Sequence, residues 1–86
     1  MQIIGVPSSE PAIMTINPSP SAKDFTEVVM LEGDKVVFSN KFMSSHMMEM
    51  IDRLTWMIRE EKPDVVVVGS SAFSNNVQDR LARRLA

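Results

Sequence analysis

KPDVVVVG, residues 62–69, is the stretch of sequence that decides the fold. Its four consecutive valines follow a proline and an aspartate and precede a glycine. β-branched side chains disfavour a helix, and the run is far too short to span a membrane, so it predicts a β-strand. Continuous apolar strands are typical of parallel sheets covered by helices on both sides, which predicts burial on both faces. Ligands of such sheets bind beyond the carboxyl ends of the strands, so Gly69, Ser70 and Ser71 are the first candidate site residues.

The composition indicates one small domain without special chemistry. The chain has 86 residues, of which 44% are hydrophobic and 23% charged, and its formal net charge is −2. This charge gives no global attraction to nucleic acid or to acidic membranes. The sequence contains no cysteine, which excludes disulfides, thiol catalysis and thiolate metal sites and favours an intracellular origin. Residues 1–11 combine a short apolar patch with turn formers and are interpreted as a leader or linker, so the predicted domain is 12–86.

Three further strands are predicted ahead of the valine run. Ala12–Asn17 is the first, and a proline-rich loop ends it because proline cannot donate to a strand ladder. Phe25–Leu31 and Lys35–Ser39 are rich in β-formers and are separated by Glu32-Gly33-Asp34. A Gly-Asp pair between two such runs predicts a hairpin, so the second and third strands should be antiparallel neighbours.

Two helices complete the pattern. Ser44 or Ser45 is the predicted N-cap of the first helix and Pro63 its stop, while Ser74–Asn76 supplies the predicted N-cap of the second. The fold class is therefore α/β: a mixed sheet with the order β, β-hairpin, then α, β, α, and with the first and fourth strands parallel at its centre. Apolar residues at helical spacing predict the buried faces, namely Met47, Met50, Ile51, Leu54, Met57 and Ile58 in the first helix and Val77, Leu81 and Leu85 in the second.

Three stretches in this order resemble the RNase H-like superfamily of the RuvC and YqgF kind: INPS at 16–19, FTEVVMLEGDKVVFS at 25–39 and EKPDVVVVGSSAFSN at 61–75. The chain is most similar to the YqgF-like domain of bacterial Tex and of its eukaryotic relative, the suppressor-of-Ty transcription elongation factor and histone chaperone. Gly69–Ser74 resembles the Gly-x-Gly-x-Ala-Ser type loop that follows the fourth strand in Tex. The resemblance implies an incomplete version of the RNase H-like fold, because the family's final strand and helix would lie beyond Ala86.

The chain departs from this family at the catalytic positions. The resemblance implies metal-binding carboxylates at the ends of the first and fourth strands, where this chain has Asn17 and Gly69. An amide and a glycine supply almost none of the negative charge that holds two Mg²⁺ ions. Asp64 lies at the opposite end of the fourth strand, about 16 Å from the site at strand rise, and Asp24 alone would be a weak magnesium ligand. We therefore expect no catalytic metal, no cofactor and no enzyme activity. The positions that mark this degenerate site are Asn17, Gly69, Ser70 and Ser71.

The resemblance implies a non-catalytic RNase H-like module of a transcription elongation factor and histone chaperone, acting as a scaffold or interaction domain. Its implied partners are RNA polymerase, histones or other elongation factors, and its implied location is nuclear, or cytoplasmic if the eukaryotic resemblance fails. No membrane contact is expected. The alternative is a divergent RuvC- or YqgF-like metal-dependent nuclease or Holliday junction resolvase that uses Asp24 and carboxylates outside this chain. A third hypothesis is a regulatory domain that binds a small phosphorylated ligand at a Ser70–Asn76 loop.

One basic cluster, Arg80, Arg83 and Arg84, could contact a nucleic-acid backbone or an acidic protein surface. Three charges give only weak, salt-sensitive contact with nucleic acid, and arginines in a last helical turn also complement the helix dipole on a solvated face. An exposed edge on the fourth strand would invite pairing between copies, so a homodimer is a further prediction.

Three other kinds of residue stand out. His46, the only histidine, is interpreted as a polar residue at a helix start. Trp56 lies beside the apolar stripe, and packing over a core edge is favoured over a role as a partner anchor. Met43 and Met48 fall off the stripe and are candidate surface methionines.

Overall fold

The structure, a computed structural model, describes residues 10–86. Most of the predicted leader lies outside this range, so its interpretation stays a prediction. The six predicted elements are all present in the predicted order. Strand β1 has the predicted bounds, whereas β3 continues three residues past the predicted Ser39. The elements are β1 (Ala12–Asn17), β2 (Thr26–Glu32), β3 (Lys35–Phe42), α1 (Met47–Glu61), β4 (Val65–Val68) and α2 (Ala72–Leu85).

The four strands form one mixed sheet in the order β3-β2-β1-β4. β1 pairs parallel with β4, and β2 pairs antiparallel with β3, as the sequence predicted. β1 also pairs antiparallel with β2. The prediction that β1 and β4 share the centre is wrong for β4, which lies at the edge of the sheet. The protein is thus a small α/β domain with β1 and β2 as its interior strands.

The hairpin between β2 and β3 forms where the sequence predicted it. Glu32 pairs with Lys35, which leaves Gly33 and Asp34 as a two-residue loop. Gly33 has a φ of 63°, in the left-handed region that favours glycine. A positive φ at the first of two loop residues is the requirement of a type II′ turn, whose twist matches that of the flanking strands.

The hydrophobic core lies between one face of the sheet and both helices. Alternate strand residues supply the sheet side, because neighbouring side chains of a strand point to opposite faces. The buried members are Met14 and Ile16 from β1, Val28 and Met30 from β2, Phe42 from β3, Met50, Ile51, Leu54 and Met57 from α1, and Val77 and Leu81 from α2.

The valine strand is buried on one face only, so the prediction of burial on both faces is wrong. Val66 and Val68 are half-buried against the core, whereas Val65 is 46% exposed and Val67 49% exposed. The physical reason is that both helices contribute to the core on the side of Val66 and Val68. Val65 and Val67 share the opposite face with Ile13 and Thr15, their partners in β1.

Helix α1 buries the predicted stripe but begins differently. Four of the six predicted residues are buried and the other two, Met47 and Ile58, are half-buried. The N-cap is His46, and no side chain caps it, so the prediction of Ser44 or Ser45 is wrong. Ser44 instead donates its hydroxyl hydrogen bond to the His46 carbonyl oxygen at 3.0 Å. The helix ends before Pro63 as predicted, with Lys62 as a left-handed C-cap.

The N-cap of helix α2 is Ser71, three residues before the first predicted cap, so Ser74–Asn76 lies inside the helix. The Ser71 side chain accepts a hydrogen bond from the Ser74 backbone N–H. Val77 and Leu81 are buried as predicted, while Leu85 at the end of the helix is exposed. None of the helices within residues 10–86 is both long and apolar enough to cross a membrane.

Candidate functional site

Parallel pairing brings the two degenerate positions together at one end of the sheet. Ile16 and Val68 are register partners, and the Gly69 N–H donates to the Ile16 carbonyl oxygen at 3.1 Å, which extends the ladder by one step. The Asn17 side-chain oxygen Oδ1 lies 3.9 Å from the position that a Cβ on Gly69 would take. Asn17 and Gly69 therefore face one another at the carboxyl ends of β1 and β4.

Ser74 occupies the space that a side chain at position 69 would need. Its Oγ lies 2.9 Å from the ideal Cβ position of Gly69, closer than real Cβ atoms approach their neighbours. Ser74 is buried, and its hydroxyl accepts a hydrogen bond from Ser71 Oγ at 2.9 Å. Its backbone N–H donates back to the same Ser71 oxygen at 3.1 Å. A side chain at position 69 would therefore require the Ser74 hydroxyl to move away from Ser71.

The proline-rich loop after β1 closes another side of this edge. The Ser19 N–H donates to Thr26 Oγ1 at 3.0 Å, and Thr26 is buried, which ties the start of the loop to the start of β2. The Asp24 N–H donates to the Ser21 carbonyl oxygen at 3.2 Å, so Asp24 is held in a turn with an exposed side chain. Asp24 belongs to the loop that leaves the Asn17 end of β1, as predicted.

Asp64 lies at the amino end of β4, opposite to Gly69, as predicted from the rise per residue of a strand. Its carboxylate Oδ2 accepts a hydrogen bond from the Ala12 N–H at 2.7 Å, and its own N–H donates to the Ala12 carbonyl oxygen at 2.8 Å. These bonds join the amino ends of β1 and β4. Asp64 therefore serves the sheet and does not contribute to the strand-end site.

The other polar candidates near this edge are used by the fold. Residues 72–76 are helical, so the predicted Ser70–Asn76 loop is wrong, and only Gly69, Ser70 and Ser71 connect β4 to α2. His46 lies at the start of α1 as interpreted, beside a cleft of about 70 Å³ that Ser19 and Phe73 also line. Across residues 10–86, no three His, Asp or Glu side chains converge as they would around a metal ion.

The three predicted arginines meet at a second place, away from the strand ends. Arg80, Arg83 and Arg84 line a groove of about 310 Å³ between α1 and α2, together with Met48 and Ile51 of α1. The sequence did not predict that Met48 would join them. Its only signal was that Met48 falls off the buried stripe, and Met48 is indeed 59% exposed.

Trp56 is 64% exposed, so the packing interpretation favoured from the sequence is wrong. It lies on α1 next to a groove of about 330 Å³ that Asn40, Arg53 and Met57 also line. Arg53 lies over the ring of Phe42, 5.3 Å from its centroid, and Phe42 is the aromatic residue that the core buries on this side. Trp56 therefore stays a candidate anchor for a partner.

Ser74 is the site residue that the sequence reasoning missed. The sequence indicated Ser74 as a helix cap and as part of the Ser70–Asn76 loop but not as a neighbour of Gly69, whereas the structure places its hydroxyl between Gly69 and Ser71. The available signal was the Ser71-x-x-Ser74 spacing, which resembles a capping box and brings the first and fourth residues of a helix start together.

Comparison with family models, with curated proteins and with solved structures finds no match for this chain. The functional argument therefore depends on the geometry of the strand ends and of the α1–α2 surface.

Proposed function

We propose that the chain is a non-catalytic, RNase H-like domain of the YqgF kind that acts as an interaction module of a transcription elongation factor and histone chaperone. The order of the elements, the antiparallel hairpin and the parallel pairing of β1 with β4 are compatible with this proposal. The short motifs at 16–19, 25–39 and 61–75 are its sequence support. On this proposal the domain works in the nucleus beside RNA polymerase, histones or other elongation factors.

One observation carries the non-catalytic part of the proposal. Phosphodiester cleavage by two metal ions needs anionic oxygens at the ends of β1 and β4. In this chain the two strand ends offer the neutral amide of Asn17 and the backbone of Gly69, with the Ser74 hydroxyl between them. Neutral oxygens at these positions cannot offset the charge of two divalent ions held close together.

The exposed surface supports a role in interaction. The register places Val65, Ile13, Leu31 and Val36 side by side across the four strands, so the uncovered sheet face carries an apolar row, and contiguous apolar surface on a small protein commonly marks a binding site. Trp56 adds an exposed aromatic side chain, a residue type that is enriched at binding hot spots. Pairing between copies through the β4 edge stays a prediction.

A cleavage assay separates this proposal from the nuclease alternative. The chain is incubated with a labelled four-way DNA junction and with single-stranded RNA in Mn²⁺, and products are resolved on a denaturing gel. We expect no cleavage above a protein-free control, and no difference between the wild type and Asp24→Ala. Cleavage that co-purifies with the chain and disappears in Asp24→Ala would support the nuclease alternative and overturn the proposal.

A further inference from the structure

The groove between α1 and α2, defined by Met48, Ile51, Arg80, Arg83 and Arg84, is not used by the strand-end site. Its volume is about 310 Å³. Ile51 is buried and forms an apolar floor, whereas Met48 is 59% exposed and forms an apolar side. Methionine is flexible and polarizable, which suits a surface that must adapt to a partner's side chains.

The arginines of this groove differ in how strongly the fold engages them. Arg84 donates from Nη1 to Asp52 Oδ1 at 2.6 Å, and its carbonyl oxygen accepts a hydrogen bond from Arg59 at 3.1 Å. Arg80 donates only its Nε to Asn76 Oδ1, at 3.2 Å, which leaves its terminal guanidinium N–H groups available. Within residues 10–86, the Arg83 side chain makes no hydrogen bond or ion pair.

Arg80 and Arg83 thus present two positive charges beside an apolar surface, and the helix sets the distance between them. Arg80 and Arg83 are three residues apart on α2, so their side chains lie on the same side of the helix, roughly 5–6 Å apart at Cβ. A second helix that carries two carboxylates one turn apart would match this spacing. An apolar residue three positions after the first of those carboxylates lies on the same face of that helix and would reach Met48 and the floor at Ile51.

We propose that this groove docks an acidic amphipathic helix of a partner protein. The carboxylates of that helix pair with Arg80 and Arg83, and its apolar residue packs on Met48. Arg84 remains paired with Asp52, and this ion pair links α2 to α1 beside the groove. This inference deepens the proposed interaction role and rests on it, because it names the surface and the chemistry of one partner.

Charge and surface chemistry favour a peptide over nucleic acid here. Single-stranded nucleic acid is bound by stacking bases on aromatic side chains, and none of the five groove residues is aromatic. The carboxylate of Asp52 pairs with Arg84, which leaves only Arg80 and Arg83 available, and two cations give weak, salt-sensitive contact with a run of phosphates. A short acidic helix needs only the two available arginines and gains from the apolar floor.

The test is fluorescence anisotropy with the full chain and a labelled synthetic peptide. The peptide is built from Ala, Leu and Glu and is about 18 residues long, above the length below which isolated helices are marginal. Each Leu follows the first Glu of a pair by three residues and the second Glu follows the first by four, so that all three side chains share one face. A control peptide has Lys in place of every Glu, and labelled single-stranded RNA is a third probe. We expect binding of the acidic peptide only, weakening as salt is added.

The variants locate the binding surface. We expect Arg80→Glu with Arg83→Glu to weaken binding of the acidic peptide about tenfold or more, and Met48→Ala to weaken it several-fold, which are typical effects for charged and apolar interface contacts. Lys23→Glu with Lys35→Glu makes the same charge change away from the groove and should leave binding within about twofold. Circular dichroism checks that each variant is folded.

Three outcomes would overturn the inference: no binding of the acidic peptide, equal weakening by both double variants, or preferential binding of RNA that depends on Arg80 and Arg83. Each differs from failure of the proposed function, which would appear as metal-dependent cleavage by the same preparation. A chain that neither cleaves nor binds the acidic peptide would contradict the docking inference alone.

Discussion

Leu54→Ala is expected to lower the free energy of unfolding by about 2–5 kcal/mol, the range for removing a leucine side chain from a packed core. Leu54 is completely buried, and it belongs to the cluster that joins α1 to the sheet and to α2. Its replacement removes apolar contacts and leaves a cavity that the surrounding side chains fill only in part. Small domains have only about 5–15 kcal/mol of stability, so the variant should unfold at much lower urea concentration.

Trp56→Ala is the matched control for Leu54→Ala. Trp56 lies two residues further along the same helix, about 200° around its axis, and is 64% exposed. Its replacement should change the free energy of unfolding by no more than about 0.5 kcal/mol, as for most surface substitutions. Equal losses in the two variants, measured by urea unfolding with circular dichroism, would contradict the orientation of α1.

Gly69→Ala is expected to destabilise the domain by about 1–2 kcal/mol. The new methyl group would meet Ser74 Oγ, which must rotate away from Ser71 and leave a buried hydroxyl without its partner. An unsatisfied buried polar group costs about 1–3 kcal/mol. Part of this loss is offset, because alanine restricts the unfolded chain and so stabilises the folded state by about 0.4–1 kcal/mol. This stabilisation applies here since the φ of Gly69 is not in the left-handed region.

A double-mutant cycle isolates the contact between positions 69 and 74. Ser74→Ala removes the hydroxyl that the new methyl group would meet, so Gly69→Ala in that background should be neutral or slightly stabilising. The expected coupling is about 1–2 kcal/mol, within the range for residues in contact. Additive losses would mean that the Ser74 hydroxyl is not what opposes a side chain at position 69, and would remove the steric part of the non-catalytic argument.

The sequence predicted those features of the fold that follow from local chemistry. Periodicity identified the buried stripe of α1, and Gly33 identified the hairpin because its two-residue loop needs a positive φ. Parallel pairing of β1 with β4 followed from the order of the elements, and it predicted that Asn17 lies beside Gly69.

The wrong predictions concern features that depend on how the helices pack against the sheet. Four consecutive valines have the same pattern whether helices cover one face or both, and only the placement of α1 and α2 on one side exposes Val65 and Val67. Several residues after Gly69 are good caps, and Ser71 is the one used because β4 pairs with β1 up to Gly69. Periodicity also does not determine whether Trp56 is exposed, because this residue lies at the border of the apolar stripe.

On the proposed function, the ends of β1 and β4 hold no divalent metal. The most direct test is titration of the isotope-labelled chain with Mn²⁺, followed by the broadening of each backbone amide signal in two-dimensional NMR spectra. Paramagnetic broadening is local, so it reports which residues a bound ion approaches.

The amides of Ala12 and Val65, beside the exposed Asp64 at the opposite end of the sheet, supply an internal reference. We predict that Asn17, Gly69 and Ser70 broaden no more than these reference amides. Selective broadening of Asn17 and Gly69 at Mn²⁺ concentrations that spare the reference amides would contradict the claim.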